Sequence, residues 1–181
     1  VYDGMSSPAS GDSRSVPSPD SIDAAYGDFE HLADIGTGGN ATVAKMAYQG
    51  PGPDVVALKQ PQMQGTLEVD AVDEFTSEAD TWAKLDDHDH IVGVLDWGST
   101  PFPWLALEYM DGGDLSDRLG QVDPAEAFYI GRCVARAVRH AHRRGVAHLD
   151  LKPENVLFRQ TSDGWDVPKV ADWGLAKMLL E

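Results

Sequence analysis

The segment His148-Leu149-Asp150-Leu151-Lys152-Pro153-Glu154-Asn155 sets an acid, a base and an amide within six residues of one another. Asp150 can accept a proton from a hydroxyl, and Lys152 can neutralise a phosphate in transit. Asn155 can hold a divalent cation through its side-chain carbonyl oxygen. Together these groups are equipment for phosphoryl transfer. Pro153 keeps Lys152 out of the helical region of backbone space. Apolar-rich flanks at 144–147 and 156–158 predict a loop held at both ends by short strands, a common setting for catalytic groups.

Elements that could position this loop are legible on both sides of it. Residues 31–35, 42–48 and 55–59 read as three short strands, separated by the glycines at 36–39 and by Gly50-Pro51-Gly52-Pro53. Connections this short predict antiparallel pairing. Residues 69–85 carry Val72, Phe75, Ala79 and Trp82 at helical spacing, with Asp70, Asp73 and Glu74 near the start, where a helix dipole favours acids. Runs at 91–97 and 104–110 supply two more strands. Asp123-Pro124-Ala125-Glu126 is a helix start, and that helix runs to Arg144 before Gly145, burying Ile130, Val134, Ala137, Val138 and Ala141. Residues 156–158 and 168–170 frame a hairpin. Residues 1–27 are rich in Ser, Pro, Asp and Gly, and predict a flexible tail or linker.

Two further groups stand out. Gly36-Thr37-Gly38-Gly39-Asn40-Ala41 would let backbone amides approach a polyphosphate. Alone, it fits a dinucleotide-binding fingerprint or an ordinary hairpin turn equally well. The continuation Thr42-Val43-Ala44-Lys45-Met46 is β-branched and loosely alternating, which predicts a strand where a dinucleotide fold needs a helix. Lys59 closes the apolar run Val56-Ala57-Leu58; by itself it reads as a strand-end charge reaching water. Glu78, however, borders the apolar face of the 69–85 helix, and an acid there wants a buried cation.

Composition narrows the function classes. Thirty acidic residues against fourteen basic ones give a net charge of −16, which disfavours nucleic acid and anionic membrane surfaces as partners. The excess is spread along the chain, as in proteins adapted to high salt. A single cysteine, Cys133, excludes an internal disulfide and a Cys-clustered zinc site, and points to a reducing, cytoplasmic setting. No apolar run approaches the roughly 18 residues that span a bilayer. His88 and His90, among Asp86, Asp87 and Asp89, read as a polar loop rather than a metal site.

Taken in order, these motifs resemble the eukaryotic-type protein kinases, over roughly residues 28–181. His148 to Asn155 is similar to their catalytic loop, with Leu149 where the usual Arg stands, and Lys152-Pro153 resembles the serine/threonine branch. Residues 36–43 resemble the glycine-rich loop, with Ala41 for the third Gly; Val56-Ala57-Leu58-Lys59 resembles Val-Ala-Ile-Lys; and Asp172-Trp173-Gly174 resembles Asp-Phe-Gly. The resemblance implies an α+β, protein-kinase-like bilobal fold. Its small lobe, 28–110, would be a five-stranded antiparallel sheet with one helix; 111–181 would begin a mostly helical second lobe, truncated after the magnesium motif. It implies ATP and Mg2+ as cofactors and a protein Ser or Thr hydroxyl as substrate, with the oligomeric state left open. The catalytic residues would be Asp150, Lys152 and Asn155, and the metal ligands Asn155 and Asp172. Ile35, Gly36, Gly38, Gly39, Val43 and Ala57 would cover the nucleotide, and Lys59 with Glu78 would clamp its α- and β-phosphates. Glu108 and Met110 would offer hinge backbone to adenine, with Leu107 gating the pocket behind, Asp114 meeting the ribose and Leu157 flooring the site. Leu149 removes a cation that in many kinases receives an activation-segment phosphate, so activity independent of that phosphate is expected. Absence of the closing Ala-Pro-Glu and later helices reads as a fragment of a longer enzyme, expected to be inactive alone. Two alternatives remain: a small-molecule kinase of the aminoglycoside-phosphotransferase type, against which Lys152-Pro153 and the glycine-rich loop argue, and a nucleotide-binding pseudokinase or scaffold, against which the full catalytic set argues.

Overall fold

A computed structural model describes residues 18–38, 41–62, 69–85, 87–162, 164–173 and 177–178. Of the expectations above, those on residues 1–17, on Gly39, Asn40, Asp86 and Gly174, and on the side chains of Asp70, Val72 and Glu74 lie outside the described residues.

Five strands form one antiparallel sheet: β1 (Phe29–Gly38), β2 (Ala41–Tyr48), β3 (Val55–Pro61), β4 (Val94–Gly98) and β5 (Trp104–Glu108), in the order β1-β2-β3-β5-β4. Their two-residue period sorts side chains onto two faces. Val56, Leu58, Trp104 and Ala106 join Met46, Tyr48 and Leu95 on the outer face. Ala57, Leu105 and Leu107 turn to the inner face, where α1 (Val69–Ala83) brings Phe75, Ala79 and Trp82. This inner cluster continues without a break into Ala137, Ala141, Val146, Val170, Ala171 and Trp173. The two halves of the chain therefore share one core, and the phosphate-handling candidates sit along it.

The second half is built on α2 (Pro124–Arg143), whose cap is as expected: Asp123 Oδ1 accepts from the amides of Ala125 and Glu126 at 2.8 and 2.9 Å. Such a cap is worth about 1 kcal/mol. Gly145 ends the helix with φ of 75°, a conformation glycine adopts without a Cβ penalty. The short strand β6 (Val146–Ala147) follows and pairs with β9 (Lys177–Met178); β7 (Val156–Arg159) and β8 (Val167–Val170) form the expected hairpin. No helix among the described residues is long and apolar enough to cross a membrane.

Two expectations need correction. The strand expected at 91–97 is β4, which begins only at Val94; Ile91 makes an isolated parallel bridge to Val170 instead, because the chain there crosses from α1 towards the second half. Of the tail expected to be flexible, residues 18–27 pack on the sheet. Ile22 N–H donates to the Leu95 carbonyl at 3.0 Å, Ala24 N–H donates to Asp96 Oδ2 at 2.8 Å, and Ile22, Ala24 and Tyr26 cover the outer-face cluster. Averaging composition over 27 residues hides this strand-like spacing of apolar side chains at 22, 24 and 26.

Candidate active site

The catalytic-loop candidates emerge from β6 and are fixed by short polar contacts. His148 is buried; its Nε2 donates to the Ala171 carbonyl at 2.9 Å while its Nδ1 accepts the Asp150 amide at 3.3 Å, which fixes the ring's orientation. Leu149 then turns through φ of 63° with its side chain exposed. Lys152 is extended, with φ of −149° and ψ of 165°, as the following Pro153 requires. A 3-10 turn, Pro153–Asn155, returns the chain to β7.

Inside that loop Asp150, Lys152 and Asn155 are in mutual contact. Lys152 Nζ donates to Asp150 Oδ2 at 2.7 Å, and Asn155 Nδ2 donates to the Asp150 carbonyl at 2.8 Å and to its Oδ2 at 3.3 Å. The Lys152 hydrogen bond holds the Asp150 carboxyl below its ordinary range, so it is ionised at neutral pH. Because the Asn155 amide nitrogen is taken up by Asp150, its carbonyl oxygen is the end left to act as an acceptor.

Lys59 makes the central cross-link. Its Nζ donates to Glu78 Oε1 of α1 at 2.5 Å and to Asp172 Oδ1 at 2.9 Å. Burial pulls the Lys59 pKa down, and the two carboxylates more than offset it, so the ammonium sits above its ordinary value. Asp172 has a φ of 60°, which turns its carboxylate towards Lys59, and the next residue, Trp173, is buried against the His148 ring at a centroid distance of 4.5 Å. His148, Ala171, Asp172, Lys59 and Glu78 thus form a continuous line of contacts from catalytic loop to α1.

The apolar wall candidates Ala57 and Leu107 are buried in the shared core, and Val43 and Leu157 pack against it. Ile35 stands apart, 47% exposed. Gly36 and Gly38 pair with Val43 and Ala41 where β1 turns into β2. Around the hinge, Glu108 N–H donates to the Gly93 carbonyl at 2.9 Å, and Met110 is half-buried against the core. At Gly112 the backbone passes so near Phe158 that a Cβ would lie 2.8 Å from its Cβ and carbonyl oxygen. Asp114 Oδ1 accepts from the Ser116 amide and hydroxyl at 2.8 and 2.5 Å, at the start of the short turn Ser116–Arg118.

Sequence reasoning missed a fully buried charged pair beside the hinge candidates. Lys169 on β8 is fully buried and donates to both carboxylate oxygens of Glu108, at 2.9 and 2.8 Å. Burial drives the Lys169 pKa down despite the opposing Glu108 charge. The available signal was Lys169 itself, a lone cation in the apolar run Val167-Pro168-Lys169-Val170-Ala171; a buried cation needs an acid.

Comparison with known proteins identifies the family. Residues 29–181 match the protein kinase domain. The chain is 34% identical over 151 residues to the serine/threonine-protein kinase PknJ of Mycobacterium tuberculosis, covering 80% of this chain and 25% of that protein. It is 32% identical over 154 residues to a probable myosin light chain kinase of Dictyostelium discoideum, covering 83% of this chain and 38% of the relative. Against the serine/threonine-protein kinase Pkn1 of Myxococcus xanthus it is again 32% identical over 154 residues, covering 84% and 22%. The chain thus spans between about a fifth and two fifths of the length of these relatives. From Phe29 to Glu181 the chain belongs to the protein kinase domain family.

Proposed function

We propose that this chain is the nucleotide-binding and catalytic-loop part of a serine/threonine protein kinase that transfers the γ-phosphoryl group of ATP to a protein hydroxyl. The observation that carries the reading is Lys59, bonded at once to Glu78 of α1 and to Asp172 beyond β8, with Asp150 two residues from the His148 that anchors the same backbone. That arrangement draws the small-lobe helix, the phosphate cation and the catalytic loop into one unit.

In this reading the substrate hydroxyl oxygen bonds to the γ-phosphorus as the bond to the ADP oxygen breaks, and the hydroxyl proton passes to the Asp150 carboxylate. Lys152, beside Asp150, offsets charge on the phosphoryl group in transit. Lys59 holds the α- and β-phosphates while Glu78 keeps it oriented. Val43, Ala57, Leu107 and Leu157 enclose the adenine, with Ile35 at the rim; the Glu108 carbonyl and the Met110 amide meet its polar edge, and Gly36, Gly38 and Gly39 bring amides over the phosphates. Asp114 reaches the ribose through the carboxylate oxygen that does not bond Ser116. A carbonyl oxygen from Asn155 and a carboxylate from Asp172 are hard oxygen donors, and Mg2+ commonly takes only one or two protein ligands, the rest being phosphate and water. When bound there, Mg2+ would neutralise the phosphate oxygens. The buried thiol of Cys133 fits a cytoplasmic setting.

Separate roles for the two acids give the test. In a complete protein competent for transfer, Asp150→Asn leaves Mg-ATP affinity within about twofold of the parent while abolishing transfer, and Asp172→Asn weakens Mg-ATP binding at least tenfold. Equal loss of nucleotide affinity in both variants overturns these assignments.

A further inference from the structure

The segment before β1 enters the back of the nucleotide hinge. Glu108, the last residue of β5, and Lys169 of β8 form a buried pair between the sheet and the second half of the chain. Ser18 is inserted beside both: its hydroxyl donates to Glu108 Oε2 at 2.9 Å and accepts from Lys169 Nζ at 3.1 Å. Glu108 Oε2 also accepts the Gly93 amide at 3.2 Å. A Cβ on Gly93 would fall 2.5 Å from the Ser18 Cβ, so glycine is what admits Ser18 to this position. Beyond Ser18, the bonds from Ile22 to Leu95 and from Ala24 to Asp96 run the segment along β4, the strand at the margin of the sheet. An edge strand has unpaired backbone groups, and this segment takes up one of them.

We propose that residues 18–24 are a strap that positions the hinge, and that Ser18, by joining Glu108 and Lys169, couples docking of the strap to occupancy of the nucleotide cleft. The proposal rests on the kinase reading above. The Glu108 carbonyl faces adenine in that reading, while the Glu108 side chain and amide are held by Ser18, Lys169 and Gly93. Fixing one side of the residue fixes the other. Ser18 is thus a positioning residue, acting through Glu108. Coupling of this kind is reciprocal: whatever the strap adds to nucleotide affinity, nucleotide adds to docking of the strap.

The test uses the 181-residue chain with Mg-ADP as probe. Saturating Mg-ADP is expected to slow hydrogen exchange at the Ile22 amide, and Ser18→Ala and Gly93→Ala are each expected to weaken Mg-ADP binding about three- to tenfold, the size of one net hydrogen bond. Folded variants that bind Mg-ADP as tightly as the parent overturn the proposal, because a purely structural contact would lower melting temperature without touching affinity. Should neither variant fold, the parent decides: Mg-ADP bound with no change in exchange at Ile22 overturns it. A parent chain that binds no Mg-ADP removes the nucleotide reading and the coupling with it, which separates that failure from a failure of the strap alone.

Discussion

Among the described residues, Lys59 and Lys169 sit in apolar surroundings, and their different partners set different consequences. Lys59 faces two carboxylates, Glu78 and Asp172, the second of them 46% exposed, so water can share the charge. Lys169 has no such outlet: it is fully buried with Glu108, and only the Ser18 hydroxyl and the Gly93 amide share the pair's charge. Removing one partner of such a pair strands the other. Lys169→Met is therefore expected to lower unfolding free energy by about 3–5 kcal/mol, and the double change Glu108→Gln with Lys169→Met to recover most of that loss; denaturant midpoints of the three proteins test this, and a double variant as weak as the single one would contradict it. At Asp150 the question is protonation. Its hydrogen bond from Lys152 favours the carboxylate, so the proton-accepting form is lost only as pH falls through a value below the usual carboxylate range. In a protein competent for transfer, Lys152→Ala is expected to move the acid limb of the kcat profile upward towards that usual range, beyond any drop in the plateau. An unmoved limb would show that Lys152 does not tune the base.

At the scale of elements, the turn between α1 and β4 packs its histidines against the end of α2. The His88 ring lies 4.7 Å from that of His140 and 5.7 Å from that of His90. His140 Nε2 is 2.9 Å from Asp87 Oδ1, at an angle that makes no hydrogen bond, and Arg144 holds Asp87 Oδ2 at 2.8 Å. Burial first, then His140 and His90, push the His88 pKa down to about 4, with Asp89 opposing and Arg136 assisting. A ring kept neutral in the fold but free to protonate when unfolded contributes stability that is complete above about pH 6.5 and declines as pH falls towards 4. Melting temperature is expected to drop between pH 7 and pH 5, and His88→Gln to flatten that drop; equal slopes would remove His88 as its source. These histidines also mark how far the sequence could be read. Strands, α1 and α2 were legible because their apolar residues keep one period and their ends carry caps, as Asp123 and Gly145 do. The contacts among the catalytic-loop candidates are local, with Asp150, Lys152 and Asn155 within six residues, so a short stretch of sequence was enough to single them out. What joins distant elements was not: no spacing rule links Glu108 to Lys169, Ser18 to Glu108, or Asp87 to Arg144, since such pairs are set by how the elements stack. Lys59 with Glu78 was the exception, because a cation on a buried strand and an acid at the margin of an apolar helix face each lacked a partner.

For the whole molecule, the net charge of −16 sets two effects of salt against each other. Added salt weakens exposed ion pairs such as Arg144 with Asp87, but each of these is worth only about 0–1 kcal/mol. It also screens repulsion among the uncompensated acids, which acts over the whole surface and whose range shrinks from about 10 Å at 0.1 M to about 3 Å at 1 M. The buried pairs, Lys59 with Glu78 and Lys169 with Glu108, are shielded from solvent and are nearly indifferent to both. Repulsion is the larger and more widespread effect, so melting temperature at neutral pH is expected to rise as KCl goes from tenths of molar to molar, most steeply at the low end where the screening length changes fastest. A separate control identifies the cause. Near the sequence isoelectric point of about 4.5 the net charge vanishes, and with it the repulsion that salt would screen; the same KCl series there should leave melting temperature nearly flat. A series that is flat or falling at neutral pH would reject charge repulsion as a limit on stability, and an equal rise at both pH values would assign the gain to the general strengthening of apolar burial by salt instead.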